Sequence, residues 1–401
     1  MTCDVIVAGA GIGGVAAALA LAREGLSVQV LERAEGPRPV GAGIGLAPNA
    51  CALFERWGLY GSLAQRGQQL TTMTVCTSGG RPLSVAPLNY EICGRHYPPL
   101  GIHRADLLDV LLERARATGR VGLNWGAGVE RFEPHATGAR VYDEGGRVHD
   151  ARVLIGADGI HSRVRAQLHG EEAPRYAGYT CWRGIASGDF DLAGEATEAW
   201  GSGRRFGFLP IGGRRVYWFA VENAEPNTRL AGEAARAELL SRFGGAFAVS
   251  RVGALIAATP PDAIVHHDIL DRPFLAHWGS QRVTLLGDAA HAMTPNLGQG
   301  ACQAIEDAAA LAQAVSAHGT EEAALRDYEA RRILRVNPLV ERSYGVGRLA
   351  QLSHPLLVAL RNTAMWLAPS ETMHARMARE LEAGVAPLLA REPASAGLAG
   401  C

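Results

Sequence analysis

The sequence predicts an α/β fold, in which a parallel nucleotide-binding domain carries an inserted, mostly antiparallel β-sheet domain and is followed by a helical C-terminal segment. Three observations support this prediction. A β-branched run, a glycine-rich turn and an alanine-rich helix open the chain. From residue 176 to about residue 258, aromatic and β-branched residues alternate with polar ones, as in antiparallel strands. From 321 to 389 the composition is that of helices.

Composition limits the class of protein. The chain has 401 residues, enough for about two to three domains. Its 48% hydrophobic and 20% charged residues are typical of a globular protein. A net charge of −1 gives no reason to expect nucleic acid or a membrane as a partner. All 39 basic residues are arginine, which excludes a phosphate-binding P-loop lysine and a lysine Schiff base.

The cysteines and the apolar stretches indicate in which cellular compartment the protein is expected, a reducing one without membrane insertion. Seven cysteines are scattered without a CxxC pair or a Cys/His cluster, so we expect reducing surroundings, no disulfide and no bound metal. Residues 5–22 carry no charge, but glycines interrupt this stretch, and a strand, a turn and a helix explain it better than a membrane span. With no other candidate span, the sequence predicts a cytoplasmic protein.

The opening motif is a strand–turn–helix–strand unit. Residues 5–7 form a β-branched strand, and the turn GAGIGG satisfies GxGxxG through Gly9, Gly11 and Gly14. The first glycine permits a tight turn, the second lets the backbone approach a pyrophosphate, and the third lets the following helix pack on the strand. Glu32, at the end of the second strand, can accept hydrogen bonds from ribose hydroxyls. This Rossmann-type unit predicts a bound dinucleotide without distinguishing NAD from FAD.

Three middle segments also suit a bound nucleotide, and each has an ordinary alternative. The small residues of 41–50 suit a backbone lying against a planar ligand, or else a flexible loop. Arg104 lies near the start of a predicted helix over 107–117, where a cation is unfavourable unless it meets an anion such as a phosphate. It is otherwise a surface arginine. Asp158 and Gly159 follow a buried-looking strand, although such turns are common.

A late motif, LLGDAAHAMTPNLGQG, covers residues 285–300 and leads into a long alanine-rich helix. We predict that the helix begins near Gly298, so that its free N–H groups and positive dipole end face whatever lies before it. Gly298 and Gly300 let the backbone come within hydrogen-bond reach of a ligand. The motif therefore predicts a group of N–H donors ahead of the helix, with the carboxylate of Asp288 earlier in the same segment.

The motifs GAGIGG, ADGIHSRVR and LLGDAAHAMTPNLGQGACQAIEDA occur in this order along the chain. As a set they resemble the single-component FAD-dependent aromatic hydroxylases of the para-hydroxybenzoate hydroxylase superfamily. The resemblance covers essentially the whole chain. The segments GYTCWRG and LRNTAMWLAP are also similar to segments of salicylate, urate and hydroxynicotinate hydroxylases and of zeaxanthin-epoxidase-like proteins.

This resemblance implies that each motif contributes to one FAD site. The start of the late helix would stabilise the reduced flavin, an anion with charge at N1 and the C2 carbonyl oxygen. The implied cofactor residues are Gly9, Gly11, Gly13, Gly14, Glu32 and Arg33 at the ADP-ribose, Val129 at the adenine, Arg104 at the phosphates, Ala42, Gly43 and Ile44 along the ring, Asp158 in a motif serving FAD and NAD(P)H, Asp288 at the ribityl or ribose hydroxyls, and Pro295, Gly298, Gln299 and Gly300 around the flavin pyrimidine.

The implied reaction consumes O2, a small aromatic or heteroaromatic substrate, and NADH or NADPH as a transient reductant. Reduced FAD would form a C4a-hydroperoxide whose distal oxygen is transferred to the ring. An epoxidase and a tailoring oxygenase acting on a polyketide or another natural product are the alternatives. More remote are an NAD-dependent dehydrogenase, which leaves the late motif unexplained, and a flavin-binding protein without turnover. Self-association as a homodimer is left open.

Arg205 and Tyr217 are the candidate catalytic residues, because their spacing is similar to that of an arginine and a tyrosine in urate-hydroxylase-like members. Tyr217 could hydrogen-bond a substrate hydroxyl, and Arg205 could stabilise a phenolate-like anion. Each could instead be a sheet residue without chemistry. Asn296 stands where the urate subgroup carries an aspartate, so a buried general base is missing at that position.

The expected FAD-binding domain is discontinuous and takes residues 1–70, 101–170 and 280–350. The substrate domain takes 71–100 and 171–279, and 351–401 form the C-terminal helical segment. The many aromatic residues of the substrate domain could line a flat pocket, but we expect most of them in the core of the sheet.

Overall fold

The computed structural model describes residues 3–37, 42–245, 247, 249, 251–368 and 370–390, without the side chains of 370–374. Gly41 of the predicted ring-facing loop and residues 391–401 of the predicted C-terminal segment lie outside these ranges.

The strands are β1 Cys3–Ala8, β2 Val28–Leu31, β3 Gly43–Leu46, β4 Gln68–Gln69, β5 Thr72–Thr77, β6 Pro82–Pro87, β7 Glu91–Ile92, β8 Arg95–His96, β9 Leu100–His103, β10 Val121–Asn124, β11 Val129–His135, β12 Gly138–Asp143, β13 Val148–Gly156, β14 Arg175–Ser187, β15 Glu195–Trp200, β16 Arg204–Pro210, β17 Arg215–Asn223, β18 Val265–Asp271 and β19 Val283–Leu285. The helices are α1 Ile12–Arg23, α2 Pro48–Arg56, α3 Tyr60–Arg66, α4 Arg104–Ala117, α5 Arg163–His169, α6 Gly232–Leu239, α7 Val252–Ala257, α8 Asp288–His291, α9 Gly300–His318, α10 Glu322–Ala350, α11 Pro355–Leu367 and α12 Ser370–Leu389.

A sheet with a parallel centre forms the first layer. Strands β10, β2, β1 and β13 run parallel, β19 pairs in parallel with the end of β13, and β12 and β11 continue the sheet antiparallel. Val5 lies opposite Val28 and Val153, and all three are buried, as expected for a strand covered on both faces. Because β1, β13 and β19 are neighbours and parallel, their carboxyl ends share one edge, and the three glycine- and aspartate-bearing motifs follow those ends.

The second sheet has the strand order β18-β14-β17-β16-β15-β5-β6 and is antiparallel except for the β15–β5 pair. Its two faces differ, because successive side chains alternate along each strand. Trp182, Phe206 and Trp218 lie on one face, in a core closed by α6 and α7. The opposite face carries Tyr217 and Phe219, which pack toward the first layer. The expectation that most aromatics belong to the core of the sheet therefore holds for the first face.

The predicted run of strands up to about residue 258 was wrong in its last part. The sheet stops at Asn223 and resumes at Val265, and between them lie α6, a π-helical turn at Leu240–Gly244, and α7. Ala235, Leu239 and Phe243 are four residues apart and fully buried, so they form the inner stripe of a helix. Good helix formers around them complete the helical pattern.

Helices α10, α11 and α12 confirm the predicted helical region, with short breaks at residues 351–354 and at Ala368. A small antiparallel sheet, β3-β9-β4, carries the loop around Gly43. Among the described residues, no helix has both the length and the apolar character needed to cross a membrane. The α/β fold class predicted from the sequence is confirmed, and the domain boundaries remain a prediction.

Candidate active site

In the glycine turn after β1, Gly9, Gly13 and Gly14 pack closely against other parts of the protein, whereas Gly11 faces open space. Gly9 has φ +100°, and a Cβ there would lie 2.5 Å from the carbonyl oxygen of Ala157. A Cβ on Gly14 would lie 2.0 Å from the carbonyl oxygen of Gly9, so packing within the protein requires both glycines. A Cβ on Gly13 would lie 3.0 Å from the Ala304 Cβ, which brings α1 close to α9. A Cβ on Gly11 would meet no atom within 4 Å, so the N-terminus of α1 faces open space there.

The carboxylate of Glu32 braces this turn. One oxygen accepts a hydrogen bond from the backbone N–H of Ala10 at 2.8 Å, and the other accepts from the N–H of Ala34 at 2.8 Å. The backbone of Glu32 also accepts from the N–H of Ala127 at 2.8 Å, which draws the segment before Val129 alongside it. Arg33 is exposed beside that segment, whereas Val129 is buried. The structure thus brings together the predicted ribose and adenine residues.

Asp158 forms a local cap at the start of α5. Its carboxylate accepts hydrogen bonds from Ser162 Oγ at 2.5 Å and from the N–H of Arg163 at 2.8 Å. Burial raises the pKa of Asp158, and these hydrogen bonds oppose that rise. Arg165, on the same helix, donates to the carbonyl oxygens of Ala289 and Ala290 at 3.2 and 3.1 Å, so the middle and late motifs are in contact.

The late motif presents one exposed carboxylate on an otherwise buried segment. Asp288 is exposed, whereas Gly287 and Ala289 on either side of it are buried. A 3-10 turn, Pro295–Leu297, follows, and then Gly298 with φ +62°. A Cβ on Gly298 would meet nothing within 4 Å. Helix α9 begins at Gly300, two residues after the predicted start near Gly298, because the left-handed Gly298 first ends the 3-10 turn.

Buried polar side chains fix the late motif from behind. Asp307 accepts a hydrogen bond from the N–H of Gly287 at 3.0 Å and from Arg332 Nε at 2.6 Å, and it lies 2.6 Å from His291 Nε2. Burial alone would raise the pKa of Asp307, but the charges of His291 and Arg332 lower it to about 2. Sequence reasoning missed this cluster, although an acidic pair inside an alanine-rich helix was a visible signal for it.

A second set of buried amides supports Gln299. Its side-chain oxygen accepts hydrogen bonds from Asn49 Nδ2 at 3.2 Å and from Gln303 Nε2 at 3.1 Å. Asn49 also donates to Glu306 at 2.6 Å. Gln299 is buried and engaged with α2 and α9, while its neighbour Gly300 leaves room before the first turn of α9.

Tyr217 lies against the loop predicted to follow the flat ring. A Cβ on Gly43 would lie 2.3 Å from the Tyr217 Cβ, and Ala42, Ile211 and Tyr217 form one buried cluster. Ile44 continues β3 away from this contact and is half-buried. Burial raises the pKa of Tyr217, and the neighbouring Arg183 cation opposes that rise. The phenol therefore stays protonated near neutral pH and is available as a donor.

Arg205 is buried and ties the second sheet to the proline turn. Its guanidinium donates to Gln351 Oε1 at 2.8 Å, to Glu198 Oε1 at 3.0 Å and to Asn296 Oδ1 at 2.9 Å. The amide of Asn296 donates in turn to the hydroxyl of Tyr179 at 2.9 Å. Because Glu198 balances its charge, Arg205 does not offer an unpaired cation to a ligand. Its contact with Asn296 instead holds the proline turn in place.

Arg183 is the functional candidate that sequence reasoning missed. Ile185 pairs with Tyr217 and Arg183 pairs with Phe219, so Arg183 and Tyr217 share one face of the sheet. Cys181, Tyr217 and His267 are ionisable neighbours of the Arg183 guanidinium, and no carboxylate forms an ion pair with it within the described residues. An arginine inside an alternating apolar strand was a signal, but the pairing register was needed to place it.

Arg104 is exposed at the first position of α4, and its backbone N–H donates to the carbonyl oxygen of Ala42 at 3.0 Å. The helix is capped by His103, whose ring nitrogen accepts from the N–H of Ala105 at 3.1 Å. Arg104 is thus adjacent to the loop beside Tyr217, with its side chain in the solvent.

Comparison with known proteins gives a consistent result. A family model described as FAD binding domain matches residues 2–343. The chain is 40% identical to "Aurachin C monooxygenase/isomerase" of Stigmatella aurantiaca, over 94% of this chain and 97% of that protein. It is 35% identical to "2-heptyl-3-hydroxy-4(1H)-quinolone synthase" of Pseudomonas aeruginosa, over 96% and 100% of the two chains. The structure of Klebsiella pneumoniae HpxO complexed with FAD and uric acid is similar with a TM-score of 0.84 and 28% identity, covering 94% of this chain and 96% of that one.

Proposed function

Because the chain belongs to the FAD-dependent aromatic hydroxylases, we propose that it uses NADH or NADPH and O2 to hydroxylate a quinolone-like heteroaromatic ring in a natural-product tailoring step. The names of two relatives support this proposal, one for the ring class and the other for the monooxygenase reaction. The 35% identical Pseudomonas protein is named for a 2-heptyl-3-hydroxy-4(1H)-quinolone. The 40% identical Stigmatella protein is named as a monooxygenase and isomerase of aurachin C.

One observation carries the proposal. The positions with free space or exposure in the first and late motifs, Gly11, Asp288 and Gly298, follow strands β1 and β19 at one sheet edge, and the loop at Gly43 is covered by Tyr217 of the second sheet. A planar cofactor in this space would have nucleotide-binding elements on one side and a substrate-binding sheet on the other. An NAD-dependent dehydrogenase has no use for the left-handed Gly298 and the donors of α9.

The residues around the open space fit FAD. The α1 N-terminus at Gly11 offers N–H groups to a pyrophosphate, and Glu32 retains lone pairs for a ribose hydroxyl. The exposed carboxylate of Asp288 suits the ribityl hydroxyls, and Arg104 suits a phosphate. Gly13, Gly14, Arg33, Val129, Asp158 and Gln299 keep their proposed places in the site as supports or neighbours of these groups.

FAD, when bound and reduced, supplies the activation of O2 for transfer to the ring. The chain supplies donors and position. The N–H groups at the start of α9, next to Gly298 and Gly300, would stabilise the negative charge of a reduced flavin held before them. Pro295 and Asn296 hold the preceding turn, and Arg205 fixes Asn296 from the second sheet.

On the substrate side, Tyr217 and Arg183 have different roles in binding and activating the ring. The protonated Tyr217 hydroxyl donates a hydrogen bond to the oxygen of the substrate ring. The Arg183 cation stabilises the enolate or phenolate form of that ring, which is the electron-rich form that accepts oxygen. Arg205, whose charge is paired with Glu198, acts as a positioning residue.

A substrate screen tests the proposal. The flavinated protein would be supplied with NADH or NADPH and with 2-alkyl-4-quinolones, urate, salicylate and phenols in turn. We expect a quinolone to accelerate NAD(P)H consumption and to yield a product heavier by one oxygen that derives from labelled O2. Stimulated consumption that releases only peroxide identifies an effector. If no quinolone gives an oxygenated product while another ring class does, the proposed substrate is wrong.

A further inference from the structure

Helix α11, Pro355–Leu367, carries an apolar stripe that the rest of the described chain leaves uncovered. Leu356, Leu360 and Leu367 are 74%, 66% and 67% exposed. Positions spaced by four and seven residues lie on one side of a helix, so these side chains form a continuous strip. Leu357 and Trp366, also exposed, widen it on both sides. Several large apolar side chains on one face mark an interaction surface, whereas single exposed leucines do not.

The outward direction of this strip is fixed by an anchor on the opposite side. Arg361 is buried and donates to the carbonyl oxygens of Ala350 at 2.8 Å and of Gly201 at 3.1 Å. Ser202 Oγ donates to the carbonyl oxygen of Ser353 at 2.8 Å. These contacts hold the helix against the second sheet, so the leucines face outward as part of an ordered surface.

The charge around the strip selects the partner. Residues 342–370 contain no aspartate or glutamate. Of their three arginines, Arg361 is buried and Arg342 is paired with Glu380, whereas Arg348 is exposed and forms no ion pair within the described residues. Strand β6 and the 201–203 turn, which pack near α11, also lack acidic residues. The guanidinium of Arg81 lies 5.0 Å from the centre of the Trp366 ring. The net charge of −1 for the whole chain therefore hides a local surface that is apolar and basic.

From these observations we propose that α11 docks on the surface of an anionic lipid bilayer, with Leu356, Leu360 and Leu367 in the acyl boundary and the exposed Arg81 and Arg348 at the headgroups. Helices that combine leucine and tryptophan with basic residues lie in the interface plane in this way. A second copy of the chain fits less well, because a two-fold contact would set the same arginines against each other. The expectation of no membrane partner rested on the net charge of the whole chain and on the absence of a spanning segment. Docking on a membrane surface requires only a local basic and apolar patch, without a spanning helix.

The docking surface is connected to the substrate sheet. Gln351, which accepts a hydrogen bond from Arg205, is five residues before Leu356. The N–H of Gly203 also donates to the carbonyl oxygen of Leu352 at 2.9 Å. Docking would bring this edge of the sheet to the lipid surface. The inference does not depend on the proposed reaction, since binding to vesicles needs no turnover.

Vesicle sedimentation tests the proposal with the full-length flavinated protein. Vesicles of phosphatidylcholine with an equal part of phosphatidylglycerol would be compared with phosphatidylcholine alone. We expect strong binding only to the anionic vesicles, weakened by added salt. The double variant Leu356→Ser/Leu360→Ser should lower the partition coefficient at least about tenfold, because burial of one leucine side chain contributes about a tenfold factor or more. Flavin absorbance shows whether the variant is folded.

Leu334→Ser is the matched control, because Leu334 is 81% exposed but lies on α10, roughly 24 Å along the helix from its end. Its binding should equal that of the wild type. Three results would overturn the proposal: no binding of the wild type to anionic vesicles, equal binding of the flavinated double variant, or a vesicle-free dimer that the double variant dissociates. The last result would assign the strip to a second copy.

Discussion

Arg183 and Tyr217 show how single residues acquire chemistry from their neighbours. The phenol of Tyr217 is kept protonated because burial raises its pKa, and the Arg183 cation beside it has no facing carboxylate among the described residues. The sequence pointed to Tyr217 and Arg205 but could not show that Glu198 already balances Arg205. That pairing joins β15 to β16, and the role of Arg183 depends on the β14–β17 register, which local sequence patterns do not specify.

Replacing Arg183→Gln should raise the KM for substrate and lower kcat/KM by about ten- to a hundredfold, because a charge-assisted hydrogen bond to the substrate anion is lost. FAD content should not change. Steady-state kinetics measure KM and kcat/KM, and the visible spectrum measures the FAD content. Arg214→Gln is the control, since Arg214 is 75% exposed. Equal kinetics in the two variants would return Arg183 to a structural role.

The variant Tyr217→Phe should slow hydroxylation by about tenfold or more and leave FAD bound, because only the donor hydroxyl is removed. Since the pKa of Tyr217 is raised above its ordinary value, deprotonation of this phenol should not appear in the rate profile between neutral pH and about pH 10. Single-turnover product formation against pH provides the measurement. An unchanged rate in the variant would remove Tyr217 from the substrate site.

At the scale of elements, the order of turn and helix around Gly298 decides where donors are available. The 3-10 turn Pro295–Leu297, the left-handed Gly298 and the start of α9 at Gly300 follow one another. The sequence placed the helix two residues early, because a proline and two glycines do not fix where regular hydrogen bonding begins. The error in the region 232–257 has a related origin, since short alternating runs there concealed a helical period.

Gly298→Ala should weaken FAD binding more than its effect on stability explains. Gly319, just beyond the other end of α9, has φ +67° and, like Gly298, no atom within 4 Å of a Cβ. Either alanine variant should lose about 1 kcal/mol or more of unfolding free energy through strain. FAD titration of the apoprotein should separate them, with reduced affinity only in Gly298→Ala. Comparable affinity losses would show that strain alone is responsible.

The contacts of Asp307 join α8, α9 and α10, so this carboxylate should matter most in acid. The pKa of Asp307 is lowered from 3.8 to about 2 in the folded protein. The ionised carboxylate therefore stabilises the folded state at pH values above about 4, the ordinary pKa of an aspartate. That contribution is lost as the pH falls through about 4 toward 2. Asp307→Asn should lower the free energy of unfolding, measured by denaturant titration, by about 3 kcal/mol or more. The unfolding free energy of the variant should also depend less on pH between about 4 and 2. Circular dichroism would record a slope equal to that of the wild type if Asp307 were unimportant.

At the scale of the whole molecule, the proposed FAD site requires that distant parts of one chain meet at one sheet edge. The sequence indicated this meeting only through its resemblance to the aromatic hydroxylases, and the structure explains it, because β1, β13 and β19 run parallel and share their carboxyl edge. The sequence did not predict the exposed strip of α11, since the apolar composition of Leu356 and its neighbours is equally typical of a buried helix. Burial of a helix face depends on what packs against it, and that information belongs to the tertiary structure.

The most direct test of the central claim is the FAD affinity of Asp288→Ala, measured by titrating the apoprotein, beside that of Asp262→Ala. Both aspartates are exposed at the start of a short helix, but only Asp288 follows the β19 edge. We expect one tightly bound FAD per chain in the wild type and in Asp262→Ala, and an affinity lowered by about tenfold or more in Asp288→Ala. Full flavin occupancy with unchanged affinity in Asp288→Ala would contradict a site shared by the early and late motifs.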